Sequence, residues 1–206
     1  MNIIKPSFIF LDEIDGQAML KKLEYIGRKC YQSEGNITED SAPDFLRRII
    51  KRGHESVLEH EKVTVEIVCD RGVSHEIVRH RIASYTQEST RYCNYAKDKF
   101  GRELTFIKPL FWDENSEEYK SWLSIMGMVE STYINLIDSG AQPQQARSVL
   151  PNSLKTSIVV TMNIRSWRNF FKLRTAPGAH PQMIEIASIM LDEFKDKISV
   201  LFDDIL

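Results

Sequence analysis

At Glu61 the hydrophobic spacing of this 206-residue chain changes, and that change limits what the chain can fold into. From Glu61 to Cys69, Val63, Val65 and Ile67 fall on every second residue, the mark of a strand with one buried face. On either side the apolar residues fall three or four apart, as amphipathic helices require. Upstream, Leu20, Leu23 and Ile26 form such a stripe over residues 17–31. Phe45, Leu46, Ile49 and Ile50 form another behind Ser41, an N-cap candidate with Pro43 near the first turn and Gly53 as the stop. The opening residues through Leu11 read as one strand. Asp70 is placed to cap a helix that carries Val73 and Ile77 inward and ends near Arg81. Residues 82–112 are polar, aromatic and irregular. A long helix over 116–138 puts Trp122, Ile125, Val129, Tyr133 and Leu136 on one stripe. A short helix from Pro143 stops before Pro151. A strand over 155–162 sets Ile158, Val160 and Met162 on one side, and helices follow from Asn163 to Leu173 and from Pro181 past Phe194. Strands and helices mix without regular alternation. The expected class is therefore α+β, with helices around an antiparallel or mixed sheet, and not a doubly wound Rossmann sheet. No linker or repeat interrupts the chain, and its length suffices for a single domain over 1–206 with its own core.

Composition narrows the setting. No apolar run approaches the roughly 20 residues of a membrane helix. The start, MNIIKPSFIFLDEIDG, lacks the parts of a secretory signal. Cys30, Cys69 and Cys93 are odd in number and far apart, which predicts a reducing, cytoplasmic compartment. None forms a CxxC pair, so no closed thiolate zinc site is expected. His75-Glu76 opens like a zinc HExxH, but the fifth position is Arg79 and His80 comes one residue late, so no metal site is assigned.

The net charge is −2, yet positive charge is collected in two places. Residues 79–91 read RHRIASYTQESTR, with three guanidiniums that call for an anion among them. Arg147, Lys155, Arg165, Arg168, Lys172 and Arg174 follow in a tract without a single Asp or Glu. Arg79 and Arg81 cannot share a helix face, so both can touch one ligand only at a helix end or turn. The plain alternative is salt bridging to Glu76 and Glu88. Ser89 has no nucleophile elbow around it, and a hydrogen bond to phosphate suits it better than attack. His54 and His60 sit around an apolar pair, where a structural role is the default. Neither GxGxxG nor GxxxxGK[ST] occurs, so Arg, Asn, Ser and helix ends must hold any nucleotide. Asn163, Arg165 and Asn169 offer planar donors within two turns. RNA binding is a second reading, from basic clusters interleaved with Tyr85, Tyr92, Tyr95, Phe100 and Phe106, opposed by a pI of about 6.2. A third is an oligomer whose arginine clusters pair across an interface.

RHR, seven residues, then Ser (Arg79 to Ser89) resembles the signature of the flavin-dependent thymidylate synthases. GHESVLEH before it, the Asn163-to-Arg174 tract after it and the overall length resemble that family too. The resemblance implies a homotetramer with active sites shared between subunits. It implies methylation of deoxyuridylate (dUMP) to thymidylate, with 5,10-methylenetetrahydrofolate as carbon donor and NADPH as reductant through FAD. By position it assigns Ser56, Arg79, His80, Arg81, Asn163, Arg165 and Asn169 to the flavin. It assigns Glu76, Arg79, Gln87, Glu88, Ser89, Arg91, Arg147 and Arg174 to the nucleotide, with Arg174 catalytic. His54 falls near the folate or nicotinamide approach. The implied partners are small molecules, with neither nucleic acid nor membrane. Gln87 stands where some relatives carry Glu, which makes its contact a neutral amide contact with the charge at Glu88. TAPGAHPQ after Arg174 is longer than the usual link.

Overall fold

A computed structural model describes residues 1–205 and confirms the α+β class. Six strands run β1 Asn2–Ile4, β2 Ser7–Phe10, β3 Lys62–Asp70, β4 Ala83–Gln87, β5 Thr105–Ile107 and β6 Lys155–Asn163. Seven helices run α1 Gly16–Lys29, α2 Ala42–Lys51, α3 Arg71–Ile77, α4 Glu117–Asp138, α5 Pro143–Ala146, α6 Ile164–Arg174 and α7 Pro181–Ile198. One sheet has the order β2-β3-β6-β4, and β1 pairs with β5 in a separate parallel ribbon. Ile164 N donates to Glu61 O (2.9 Å) beyond one end of β3 and Arg71 N to Leu154 O (3.1 Å) beyond the other, a register that makes β3 and β6 antiparallel.

The two sheet-centre strands form where alternation is cleanest. Val63, Val65, Ile67 and Cys69 are buried along β3, and Thr156, Ile158, Val160 and Met162 along β6. Three expectations need correction. The opening strand is two strands in different sheets, parted at Lys5–Pro6, where proline has no N–H for a ladder. Residues 82–112 contain β4 and β5; β4 lies at a sheet edge, so its sequence ASYTQ needs no apolar face. The stripe of α4 is turned: Tyr119, Met126 and Tyr133 are buried, whereas Ile125 is 52% exposed.

The chain divides into two compact units. One holds Met1–Ser7, Ile67–Arg79 and Thr86–Ile158, with a core of Tyr95, Leu104, Phe106, Met126, Tyr133 and Leu154. The other holds Phe8–Glu66, His80–Tyr85 and Val159 onward. Its core is aromatic. Trp167, Phe170, Phe171, Phe194 and Phe202 are fully buried, with centroids from 5.0 Å (Phe171–Phe194) to 5.7 Å (Trp167–Phe171) apart. The Trp167 indole N–H donates to Val63 O at 3.0 Å, so the polar edge of this ring is satisfied inside the core.

Of the two N-caps expected from the sequence, Asp70 forms and Ser41 does not, while Asn163, expected inside a helix, caps one. Asp70 Oδ1 accepts from Val73 N (2.7 Å) and Asn163 Oδ1 from Ser166 N (2.8 Å), both N-caps. Ser41 precedes α2 but does not cap it. Its hydroxyl donates to the Glu24 carboxylate at 2.8 Å, because Glu24 is fully buried and its charge needs every donor in reach.

Candidate active site

In the second unit, Asn163 closes β6 and opens α6, so the strand end and the first two helical turns deliver Asn163, Arg165 and Asn169 to one surface. Together with Arg81 they line a cavity of about 380 Å³. Arg168 and Lys172 add two further cations, and Glu55 and Glu59 add carboxylates. Arg165 Nη1 is 2.6 Å from Glu59 Oε1. Glu55 is more loosely held, 3.5 Å from Arg168 Nε, 3.7 Å from Arg165 Nε and 3.8 Å from Lys172 Nζ.

Arg168 is 1% exposed. Its Nη1 and Nη2 reach the two oxygens of Asp204, each at 2.7 Å, and Nη1 also donates to Leu201 O. Both terminal nitrogens are engaged, but Nε is buried with no hydrogen-bond acceptor. A donor set this rich, with an unsatisfied buried N–H, suits a multiply charged anion such as a diphosphate.

Helix α3 stops at Ile77, four residues short of the expected end at Arg81. Residues 79–81 are therefore outside the helix, with Arg79 and Arg81 exposed and His80 buried. Neither arginine is salt-bridged among the described residues, so pairing with Glu76 or Glu88 does not account for them. His80 packs edge-on to Phe170 (4.9 Å), and Tyr85 Oη donates to its carbonyl (2.7 Å). Arg174 Nε donates to His80 Nε2 at 2.8 Å. An accepting Nε2 places the ring proton on Nδ1 and requires a neutral imidazole.

Burial, reinforced by the charge of Arg174, pushes the His80 pKa down from 6.5 to about 4. The unfolded chain thus binds more protons than the folded one between those values. The His80 contribution to stability is complete above about pH 6.5, is lost as pH falls toward 4, and is flat below. Urea unfolding across this range should show that slope in wild type and lose it in His80→Gln; an unchanged slope would assign the effect to another group.

The first unit holds the remaining assigned residues. Gln87 Nε2 donates to Ser74 Oγ (2.9 Å) and Thr156 Oγ1 (3.2 Å). Glu88 accepts from Tyr95 Oη (2.7 Å) and Lys155 Nζ (2.8 Å). Burial and the Glu88 charge hold the Tyr95 phenol well above its ordinary pKa, so it remains a donor. Ser89 Oγ accepts from Arg91 N (3.3 Å), and Arg91 Nε donates to Gln144 (3.2 Å). Arg147 and Arg79 are exposed without a side-chain partner among the described residues, and Glu76 is half-buried. Ser56 and His54 are not in the α6 cavity; they line a separate cleft of the second unit.

Residues 15–198 match the family model described as thymidylate synthase complementing protein. A protein of Pyrococcus furiosus named flavin-dependent thymidylate synthase is 40% identical over 172 residues, 83% of this chain and 70% of that protein. The chain belongs to the flavin-dependent thymidylate synthase family. It is accordingly an enzyme. The flavin-dependent thymidylate synthase of Geobacter sulfurreducens is 36% identical over 184 residues, covering 86% of this chain and 78% of its own length. For the proteins of Pyrococcus abyssi and Pyrococcus horikoshii, the matched region spans 66% and 60% of their length. A crystal structure described as a UMP/dUMP methylase PolB from Streptomyces cacaoi bound with 5-Br dUMP shares the fold. Its TM-score is 0.79 at 22% identity, over 98% of this chain and 96% of that one.

The reading of the sequence did not single out Arg168, Glu55 or Glu59 as site residues. The signal was present: Glu55 and Glu59 are the two carboxylates of the HESVLE segment, four residues apart, and Arg168 lies midway in a helix otherwise rich in assigned donors.

Proposed function

We propose that this chain is a FAD-dependent thymidylate synthase. It methylates dUMP, taking carbon from 5,10-methylenetetrahydrofolate and reducing equivalents from NADPH. We assign this to one catalytic domain over 1–206, working as a cytoplasmic homotetramer with shared active sites on small molecules rather than nucleic acid or membranes. The observation that carries the proposal is the α6 cavity, lined by Arg81, Asn163, Arg165 and Asn169 together with Arg168 and Lys172. No helix among the described residues is long and apolar enough to cross a membrane.

The donors of the α6 cavity would hold the phosphates of FAD, with Glu55 and Glu59 as internal anions that ligand phosphates replace. The bound flavin supplies the redox chemistry. The chain supplies orientation and charge. Arg174 is the cation assigned to the pyrimidine, where it would favour the ionised ring. His80 fixes the Nε edge of that guanidinium and, being neutral, adds no competing positive charge. Gln87, Ser89, Arg91 and Arg147 are assigned to orient the nucleotide.

Purified protein should be yellow and release FAD on denaturation. Tritium release from C5-labelled deoxyuridylate should require the reductant and the folate. No flavin absorption band, even after added FAD, would overturn the reading.

A further inference from the structure

One residue past β4 the pairing with β6 continues, with Glu88 N donating to Ser157 O at 2.9 Å. The Glu88 carboxylate then gathers three donors from its own unit. Lys155 Nζ lies 2.8 Å and Ser157 N 3.3 Å from Oε2, and Tyr95 Oη lies 2.7 Å from Oε1. The Glu88 side chain is 16% exposed. It lines a cavity of about 200 Å³, below the roughly 300 Å³ at which small-molecule sites begin. Both oxygens are committed, and the space beside them is too small for a nucleotide.

These bonds enclose the turn that carries Ser89 and Arg91. Within it Ser89 O accepts from Tyr92 N (3.1 Å) and Cys93 N (2.9 Å). One carboxylate thus ties residue 88 to residue 95 across the turn. The Tyr95 ring is buried against Phe100 (5.4 Å) and Tyr133 (5.8 Å), so the core sets where its hydroxyl stands. Ser89 follows directly on the paired end of β4 and is held by it. Arg91 lies two residues further on and is exposed. Gln144 holds its Nε at 3.2 Å, and its terminal nitrogens have no hydrogen-bond partner among the described residues. A bare carboxylate next to Ser89 would repel a phosphate there, and Lys155 cancels that charge.

We propose that Tyr95 and Lys155, acting through Glu88, are positioning residues for the phosphate of the nucleotide. Tyr95 fixes the turn so that the free edge of Arg91 meets the phosphate, and Lys155 keeps the neighbouring carboxylate from repelling it. Glu88 acts through the turn and does not touch the nucleotide. The inference rests on the thymidylate synthase reading, in which Ser89 and Arg91 hold deoxyuridylate, and adds two residues outside that set.

The test uses flavin-loaded protein, tritium release and the KM of each substrate. Tyr95→Phe removes one hydroxyl and keeps the packed ring. It should raise the KM for deoxyuridylate roughly tenfold, the scale of one hydrogen bond to a charged group. Flavin content, kcat and the KM for methylenetetrahydrofolate should hold. Arg91→Gln should itself raise the deoxyuridylate KM, and adding Tyr95→Phe to it should cost less than about twofold more, because the group being positioned is gone. Lys155→Met should raise the same KM roughly threefold at low salt and less at high salt, as an uncompensated charge would. If Tyr95→Phe does not fold, Lys155→Met, at a partly exposed side chain, decides alone. A deoxyuridylate KM unmoved by the variants would overturn the proposal. So would a rise undiminished without Arg91, or a loss spread evenly over kcat, flavin and both KM values in folded protein. Wild type that turns over while its variants keep the same KM sinks only this inference. Wild type that neither holds flavin nor releases tritium sinks the activity reading instead.

Discussion

Arg174→Ala should lower turnover by at least 10²–10³-fold while leaving the protein folded and yellow. That is the scale of losing one preorganised donor to developing negative charge. Arg174 is the last residue of α6, half-buried, with its Nε edge committed to His80 at 2.8 Å. Removing it takes away a positioned charge and little packing, so the loss should fall on kcat and kcat/KM together, with a small effect on nucleotide affinity. Arg174→Lys should recover little. A lysine ammonium has no planar edge with which to engage His80 and still face a ring. A second readout separates this role from a structural one. Burial, the larger cause, keeps the His80 pKa depressed, and loss of the arginine charge should raise it by the smaller, electrostatic part, visible by NMR titration of the imidazole. Near-wild-type turnover in Arg174→Ala would remove it from the centre of the reaction.

Arg168→Met should cost about 3 kcal/mol of stability and a large part of the bound flavin. Breaking a buried ion pair from one side costs about 3–5 kcal/mol, because the partner is left uncompensated. Asp204 is that partner; its side chain is 47% exposed, and water takes up part of the loss, which sets the expectation at the lower end. The Arg168 guanidinium holds the Asp204 carboxyl below its ordinary pKa. Stability from this pair is therefore full above the ordinary aspartate range and lost as pH falls through the lowered value. For a protein of this size, about 3 kcal/mol is a drop in Tm of roughly 6–12 °C. Asp204→Asn should cost less, since an amide oxygen still accepts from the fork. A change below 1 kcal/mol in Arg168→Met would show that Asp204 and Leu201 O do not hold this guanidinium in solution.

The parts of the fold that could be read from the sequence are those where one chemical requirement acts alone. β3 and β6 each bury one face, so burial falls on every second residue along β6 and along β3 as far as Cys69. β4 is an edge strand with exposed positions, and nothing forces ASYTQ to advertise itself. The start of the chain looks like a continuous strand because apolar content survives the break, while Pro6 ends the ladder by lacking one hydrogen atom. Ser41 shows a local rule losing to a distant demand, since buried Glu24 draws its hydroxyl away from α2. The candidate site divides in the same way. Asn163, Arg165 and Asn169 ride on one helix, so their grouping can be seen in the spacing. His80 and Arg174 are 94 residues apart, and their hydrogen bond could not be anticipated from either motif. Glu88 and Lys155 are 67 apart and meet the same limit. Arg168 looked like one more surface cation; only its burial shows that it joins the cavity to the Leu201–Asp204 segment.

That joint gives remote residues a hold on cofactor loading. A protease that nicked the polypeptide after Phe202 would strip Arg168 of its aspartate while sparing every side chain assigned to the flavin. The clipped enzyme would be pale for want of an anchor, and an assay of colour alone would mistake it for a ligand mutant.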